Sequence, residues 1–94
     1  MKEYTFNNID YVLEKDLDNV FNYEDIKNKV TDYFNEYDFI LGDFSYNKVR
    51  LKGFFDENNK NVKKINNIKN LDDYLKNYCS FGCKWFLLRK NAKN

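Results

Sequence analysis

The 94-residue chain has no histidine, no proline and no glutamine, and only three glycines, two cysteines, two serines and two threonines. Without histidine there is no Ser–His or Cys–His pair for nucleophilic catalysis. Two cysteines alone cannot complete a four-ligand zinc site. Three scattered glycines form no phosphate-cradling loop. Lack of proline and scarcity of glycine leave no linker, so residues 1–94 read as a single domain. No apolar run approaches the roughly 20 residues that a membrane span requires. The opening Met-Lys-Glu-Tyr-Thr-Phe-Asn-Asn lacks the apolar core of a secretory signal. These absences predict a cytoplasmic protein that makes no membrane contact, needs no metal or other cofactor, and is not an enzyme.

The residues present are 43% hydrophobic and 19% aromatic, too apolar for a disordered chain. Asparagine occurs sixteen times and lysine fourteen, against one alanine and two arginines. The abundant types have AT-rich codons, so base composition accounts for the excess. Base composition does not account for the charge layout. Residues 1–46 hold four lysines and eleven carboxylates, a net −7, whereas residues 47–94 hold twelve cations and four carboxylates, a net +8. Such a split points to an anionic partner for the basic half or to association between opposite halves, unless folding interleaves the two.

Local patterns predict two helices. Asn22 is an N-cap, with Asp25 three residues on and Phe21 and Ile26 at the positions of a hydrophobic staple. Ile26, Val30, Tyr33, Phe34 and Tyr37 then make one apolar stripe, giving a helix over about residues 23–37. Asn70 caps a second helix with the stripe Leu71, Tyr74, Leu75 and Tyr78, ending near Cys79, with Gly82 just beyond. Strands are predicted at Ile9–Glu14, Asp38–Tyr46, Val49–Asp56 and Cys83–Lys90, with residues 2–6 adding a fifth before Asn7-Asn8. Residues 57–70 read as a long, basic, mobile loop that Val62, Ile65 and Ile68 pin to the body. The order β-α-β-β-α-β predicts an α+β domain with an antiparallel sheet of four or five strands. Both helices would lie on one face, as in a ferredoxin-like sandwich.

A two-residue turn at Asn47-Lys48 sorts the central hairpin into two faces. Ile40, Gly42, Phe44, Tyr46, Val49, Leu51, Gly53 and Phe55 form the core face. Phe39, Leu41, Asp43, Ser45, Arg50, Lys52, Phe54 and Asp56 form the other, with Asp43 opposite Lys52, Ser45 opposite Arg50 and Leu41 opposite Phe54. With both helices on the core face, this second face stays open and mixes cations with aromatics.

An open cationic and aromatic sheet suits single-stranded RNA, whose bases stack on aromatics while lysines hold phosphates. Lys52-Gly53-Phe54-Phe55 resembles the start of the RNP1 pattern of RNA-recognition motifs. Asp56 departs from that pattern where it requires a second aromatic. Arg50, Lys52 and Phe54 are therefore the candidate sheet contacts, and Lys63, Lys64, Lys84, Arg89 and Lys90 the candidate phosphate contacts. The predicted partner is RNA or a ribonucleoprotein such as a ribosome-associated particle. The alternative is a protein-interaction or homodimerisation module, in which the acidic half of one chain meets the basic half of another. Cys79 and Cys83, spaced Cys-x₃-Cys, are a candidate thiol pair, a shared-zinc site between two chains, or two small buried side chains. Asp16 with Asp18, and Asp72 with Asp73, match no calcium-loop pattern.

Two stretches carry a resemblance. One runs Tyr37-Asp38-Phe39-Ile40-Leu41-Gly42-Asp43-Phe44-Ser45-Tyr46 and continues through Val49-Arg50-Leu51-Lys52-Gly53-Phe54-Phe55. The other is Leu71-Asp72-Asp73-Tyr74-Leu75 followed by Tyr78-Cys79-Ser80-Phe81-Gly82-Cys83. On these residues the chain resembles the YutD-like family of small single-domain bacterial proteins, over nearly its whole length. The resemblance implies a bacterial, cytoplasmic, single-domain protein and picks out Gly42, Asp43, Arg50, Gly53 and the Cys79–Cys83 turn. It carries over no catalytic residue.

Overall fold

The computed structural model describes residues 2–45, 48–78 and 83–91. Five antiparallel strands, β1 (Glu3–Phe6), β2 (Ile9–Asp16), β3 (Phe39–Ser45), β4 (Lys48–Phe54) and β5 (Trp85–Lys90), form one sheet in the order β1-β2-β5-β3-β4. Two helices, α1 (Tyr23–Ile26) and α2 (Leu71–Tyr78), and four single 3₁₀ turns complete the described elements.

The β1–β2 hairpin confirms the extra strand. Asn7 and Asn8 both have positive φ, 55° and 66°, as a two-residue type I′ turn requires. Asparagine and aspartate are the residues with a side chain that visit that region most readily. The Asn7 side chain also donates to the Val30 carbonyl at 2.6 Å, tying the turn to the segment after α1.

The strand order is not that of the predicted ferredoxin-like sandwich, which places its first and third strands at the centre. Here the last strand, β5, inserts between β2 and β3. Its sequence explains the position. Phe86, Leu87 and Leu88 are all buried, and consecutive side chains point to opposite faces. A strand that is apolar on both faces belongs where both faces are covered.

The helices accordingly lie on opposite faces, not on one as predicted. One core gathers Ile40, Phe86, Leu88, Phe6 and Tyr11 under Ile26, Val30 and Phe34. The other gathers Leu41, Phe54 and Leu87 under Leu71, Tyr74 and Leu75 of α2, with Ile68 beside them. The face expected to be open carried Phe39, Leu41 and Phe54, and that apolar patch is what α2 covers.

The predicted helix over 23–37 is realised as one turn and a stripe. Asn22 caps α1 through its side-chain oxygen, which accepts the Asp25 N–H at 3.3 Å. The helix then stops at Ile26 and resumes as a 3₁₀ turn at Asp32–Phe34. Asn28, Thr31 and Asn35 are weak helix formers, which favours the early stop, although Thr31 makes no side-chain cap bond. Ile26, Val30 and Phe34 are buried regardless. In the hairpin, Asp43 pairs with Arg50, Leu41 with Lys52 and Phe39 with Phe54, two residues away from the predicted register. A two-residue shift keeps every side chain on its predicted face. Of the predicted turn pair Asn47-Lys48, Lys48 begins β4, and Asn47 lies outside the described residues, as does Tyr46.

Residues 57–70 are not a bare loop. The Phe55 N–H donates to the Asn66 carbonyl at 2.7 Å, and the Phe55 carbonyl accepts the Ile68 N–H at 2.9 Å. Asp56, Asn59, Asn66 and Asn67 each accept a nearby backbone N–H through a side-chain oxygen, at 2.9, 2.8, 2.7 and 3.0 Å. Most of these are Asx turns, in which the side chain mimics a backbone turn. The asparagines that base composition supplies are put to structural use here.

Two glycines are fixed by close approach. A Cβ on Gly42 would lie 2.1 Å from the Phe86 ring, and one on Gly53 would lie 2.3 Å from the Tyr37 ring. Gly42→Ala and Gly53→Ala should each destabilise the fold by about 1–3 kcal/mol through overpacking. Thermal unfolding followed by circular dichroism should therefore show a fall in Tm of several degrees. An unchanged Tm in either variant would mean that the ring has room to move.

Candidate interaction surface

The central feature of the α2 side is an ion pair. Asp43 is 2% exposed in the middle of β3. Its cross-strand partner Arg50 donates from Nε to Oδ1 at 2.8 Å and from Nη2 to Oδ2 at 3.2 Å, a two-pronged contact that only a guanidinium can make. Arg50 Nη2 also donates to the Tyr78 carbonyl at 3.1 Å, in the last turn of α2. A cation there complements the helix dipole as well as the carboxylate. Arg50 thus joins β3, β4 and α2.

Phe54 is fully buried and meets Tyr74 of α2 edge to face, with ring centres 5.5 Å apart. This corrects the reading of Phe54 as a base-stacking residue, since α2 occupies the space a base would need. Lys52 places its ammonium 5.3 Å from the Phe54 ring centre and 5.5 Å from that of Tyr74, within cation–π range. Burial raises the Tyr74 hydroxyl pKa above its ordinary value, with a smaller contribution from the Asp43 charge. The fold does bring Arg50, Lys52 and Phe54 together, but Phe54 is buried beneath α2, while Arg50 stays half exposed at the end of the helix.

The remaining candidates separate. Arg89 pairs with Glu14, at the irregularity where β2 meets β5. The Lys90 ammonium donates to the Asn35 carbonyl on the opposite face. Lys84 is exposed just before β5, and Lys63 and Lys64 are exposed where the chain approaches α2. Cys83 is half-buried and disulfide-bonded, so it offers neither a zinc-ligating thiolate nor a simple apolar filler. Cys79 lies outside the described residues. Among the described residues no group of three His, Cys, Asp or Glu side chains is placed to hold a metal ion, and no helix is long and apolar enough to cross a membrane.

Sequence reasoning missed the groove beside α2. Lys64, Ile65, Asn70, Asp73, Tyr74 and Tyr78 line an open cleft of about 390 Å³. Ile65 was expected to pin the loop and is instead 64% exposed; Tyr78 is 59% exposed. Tyr78 stacks on Tyr74 with ring centres 4.9 Å apart, so the two form one aromatic ledge. The available signal was Ile65 itself, an aliphatic residue in a polar run with a helix stripe one residue too wide to bury.

The two oppositely charged halves interleave rather than face apart. Asp43–Arg50 and Glu14–Arg89 each join a carboxylate of the first half to an arginine of the second. Lys60, Lys63, Lys64 and Lys84 form no ion pair among the described residues.

Arg50→Lys keeps the charge and loses the two-pronged contact with Asp43. It should lower stability by about 1–3 kcal/mol, the worth of hydrogen bonds to a charged group. The urea midpoint should fall accordingly, while Lys84→Ala, on an exposed side chain, should leave it within about 0.5 kcal/mol of wild type.

Comparison with known proteins agrees in sequence and in fold. The family model described as "Putative antitoxin YutD-like" matches residues 5–89. The protein named "Putative antitoxin YutD" of Bacillus subtilis (strain 168) is 40% identical over 86 residues, covering 92% of this chain and 94% of that protein. The solution NMR structure of protein yutD from B. subtilis matches with a TM-score of 0.80 at 36% identity, covering 98% of this chain and 84% of that one. With a family match across nearly its whole length, and a relative this similar, the chain belongs to the YutD-like family.

Proposed function

We propose that the protein is a non-catalytic protein-binding module whose contact surface is the groove along α2. The observation that carries this reading is the exposure of Ile65 and Tyr78 on either side of the Tyr74 ring. An aliphatic and an aromatic side chain held by ordered backbone cost little entropy to dock, and such residues dominate binding energy at protein interfaces. Lys64 and Asp73 on the rim supply orientation. The name of the B. subtilis relative, "Putative antitoxin YutD", supports the same reading, because neutralising a toxin can be done by binding it.

A second reading keeps RNA as the partner. It is supported by Lys60, Lys63 and Lys64, exposed within one segment and unpaired among the described residues, with Lys84 exposed before β5. Their binding would be sequence-independent and would fall steeply with salt. Self-association of the two charged halves is a third outcome, read on a sizing column at low and high salt.

The test is a pull-down of the tagged protein from lysate of its own bacterium, with and without nuclease, alongside Ile65→Glu and Tyr78→Ala. Both positions are exposed, so the fold should persist. A protein partner should survive nuclease, and either substitution should weaken its binding by at least about 30-fold, the size of a hot-spot loss. Capture of RNA alone, or a partner indifferent to both substitutions, would overturn the groove reading.

A further inference from the structure

The geometry points to the outer edge of β4 as a docking site for an extended segment of a partner protein, added to the sheet as a sixth strand, whose side chains alternate acidic and apolar. This rests on the protein-binding reading above and names the chemistry of the partner.

Strand β4 ends the sheet, so one side of its backbone has no neighbouring strand. Which groups face outward follows from the ladder. Phe44 N–H donates to the Lys84 carbonyl, so the even-numbered residues of β3 bond toward β5; just before the strand Asp38 is irregular, its carbonyl accepting the Lys90 N–H while its N–H donates to the Phe54 carbonyl. Antiparallel bonding alternates along a strand, so Phe39, Leu41, Asp43 and Ser45 bond toward β4, at Phe54, Lys52, Arg50 and Lys48. Val49 and Leu51 therefore direct their N–H and C=O groups away from the sheet. No described residue accepts from or donates to those groups.

The same edge already accepts a single β-bridge four to six residues further on. Phe55 makes a parallel bridge with Asn67, receiving and giving one backbone bond. The chain then turns into α2, and the edge beside Val49 and Leu51 is left open.

The side chains of β4 state what would fit there. Lys48, Arg50 and Lys52 lie on the α2 face, and Val49 and Leu51, half-buried, lie on the other. Arg50 is paired with Asp43, which leaves Lys48 and Lys52 without an ion-pair partner among the described residues, Lys52 resting over the Phe54 and Tyr74 rings. An added strand with acids on the α2 face and apolar residues on the other would complement both. It would also run beside the groove, since Lys52 reaches the Tyr74 ring and Arg50 the Tyr78 carbonyl.

The same pattern disfavours the other occupants. A second copy pairing β4 with β4 would set lysines and arginines against one another, the usual defence of an exposed edge against self-association. RNA phosphates accept hydrogen bonds but donate none, so they would leave the outward carbonyls of Val49 and Leu51 unpaired.

The experiment titrates isotope-labelled protein with a short synthetic peptide of alternating Glu and Val, and with a Lys/Val counterpart. Hydrogen exchange at the Val49 and Leu51 amides should slow in the Glu/Val complex, and the Lys/Val peptide should not bind. Val49→Pro removes one outward N–H and no bond to β3. It should weaken the Glu/Val peptide at least about tenfold, the worth of one backbone hydrogen bond. Should Val49→Pro unfold, Lys48→Glu combined with Lys52→Glu should reverse the preference toward the Lys/Val peptide. Absence of protection at saturating peptide, equal binding of the two peptides, or indifference to the substitutions would overturn the proposal. In the pull-down, a partner retained by Val49→Pro but lost by Ile65→Glu would reject the edge and leave the groove reading intact.

Discussion

Three consecutive buried side chains on β5, Phe86, Leu87 and Leu88, organise the molecule. Fully burying one such side chain is worth about 1.5–3 kcal/mol, a large share of the stability of a chain this size. Because neighbouring side chains point to opposite faces, that burial is reached only if both faces of the sheet are covered. The α1 segment covers one face and α2 the other. Gly42 follows from the same constraint. The Phe86 ring lies flat against β3, where any Cβ would collide with it.

Covering the second face has a consequence for function. Once α2 lies over Leu41, Phe54 and Leu87, Phe54 becomes core, and the aromatic surface left on that side is the outer side of the helix, at Tyr78. The Asp43–Arg50 pair belongs to this arrangement. A buried carboxylate left alone would be costly, and replacing both partners by apolar residues could be neutral for stability. What the pair adds is position. The guanidinium reaches both Asp43 and the last turn of α2, so it fixes where the helix ends relative to β3 and β4. The Tyr74–Tyr78 ledge is placed by the same contact.

Much of this was legible in the sequence, and the errors share one physical origin. The strands, the Asn22 cap, the Asn7-Asn8 turn and the face assignment of the central hairpin depend on neighbours in the chain. Those local features are as read, apart from end residues. Strand order and helix placement depend on what happens at long range. The apolar run Phe86-Leu87-Leu88 announced a strand covered on both faces, and Leu41 and Phe54 announced a second apolar face. Reading that face as open overlooked its need for a cover. The register was misplaced by two residues for a related reason. A hydrophobic alternation cannot distinguish registers that differ by two, and only the preference of buried Asp43 for the guanidinium of Arg50 over the ammonium of Lys52 does so. Of the candidate cations, Arg50 and Arg89 are held in ion pairs and Lys90 donates to the Asn35 carbonyl, while Lys63, Lys64 and Lys84 are exposed. The groove at Ile65 and Tyr78 depends on residues brought together from two segments, and their proximity has no local signature.

The charge asymmetry takes on a different meaning in the folded chain. A front half at −7 and a back half at +8 would, if kept apart, give a strong dipole that favours association between copies. Placing β5 against β2, and β4 against β3, sets the two halves side by side and neutralises both arginines against acids of the first half. The lysines are treated differently. Lys48, Lys60, Lys63 and Lys64 stay exposed on β4 and on the segment leading to α2. Arginine, with its planar fork, is used where geometry must be fixed, and lysine, a mobile point charge, where a surface must stay solvated until something binds. Of the exposed lysines, Lys64 lies in the groove beside α2, whereas Lys60 and Lys63 line a second cleft with Glu36 and Phe55, and Lys2, Lys15 and Lys29 belong to the first half. The mobile charge is therefore spread over the surface, while both arginines serve to hold strands and helix in place.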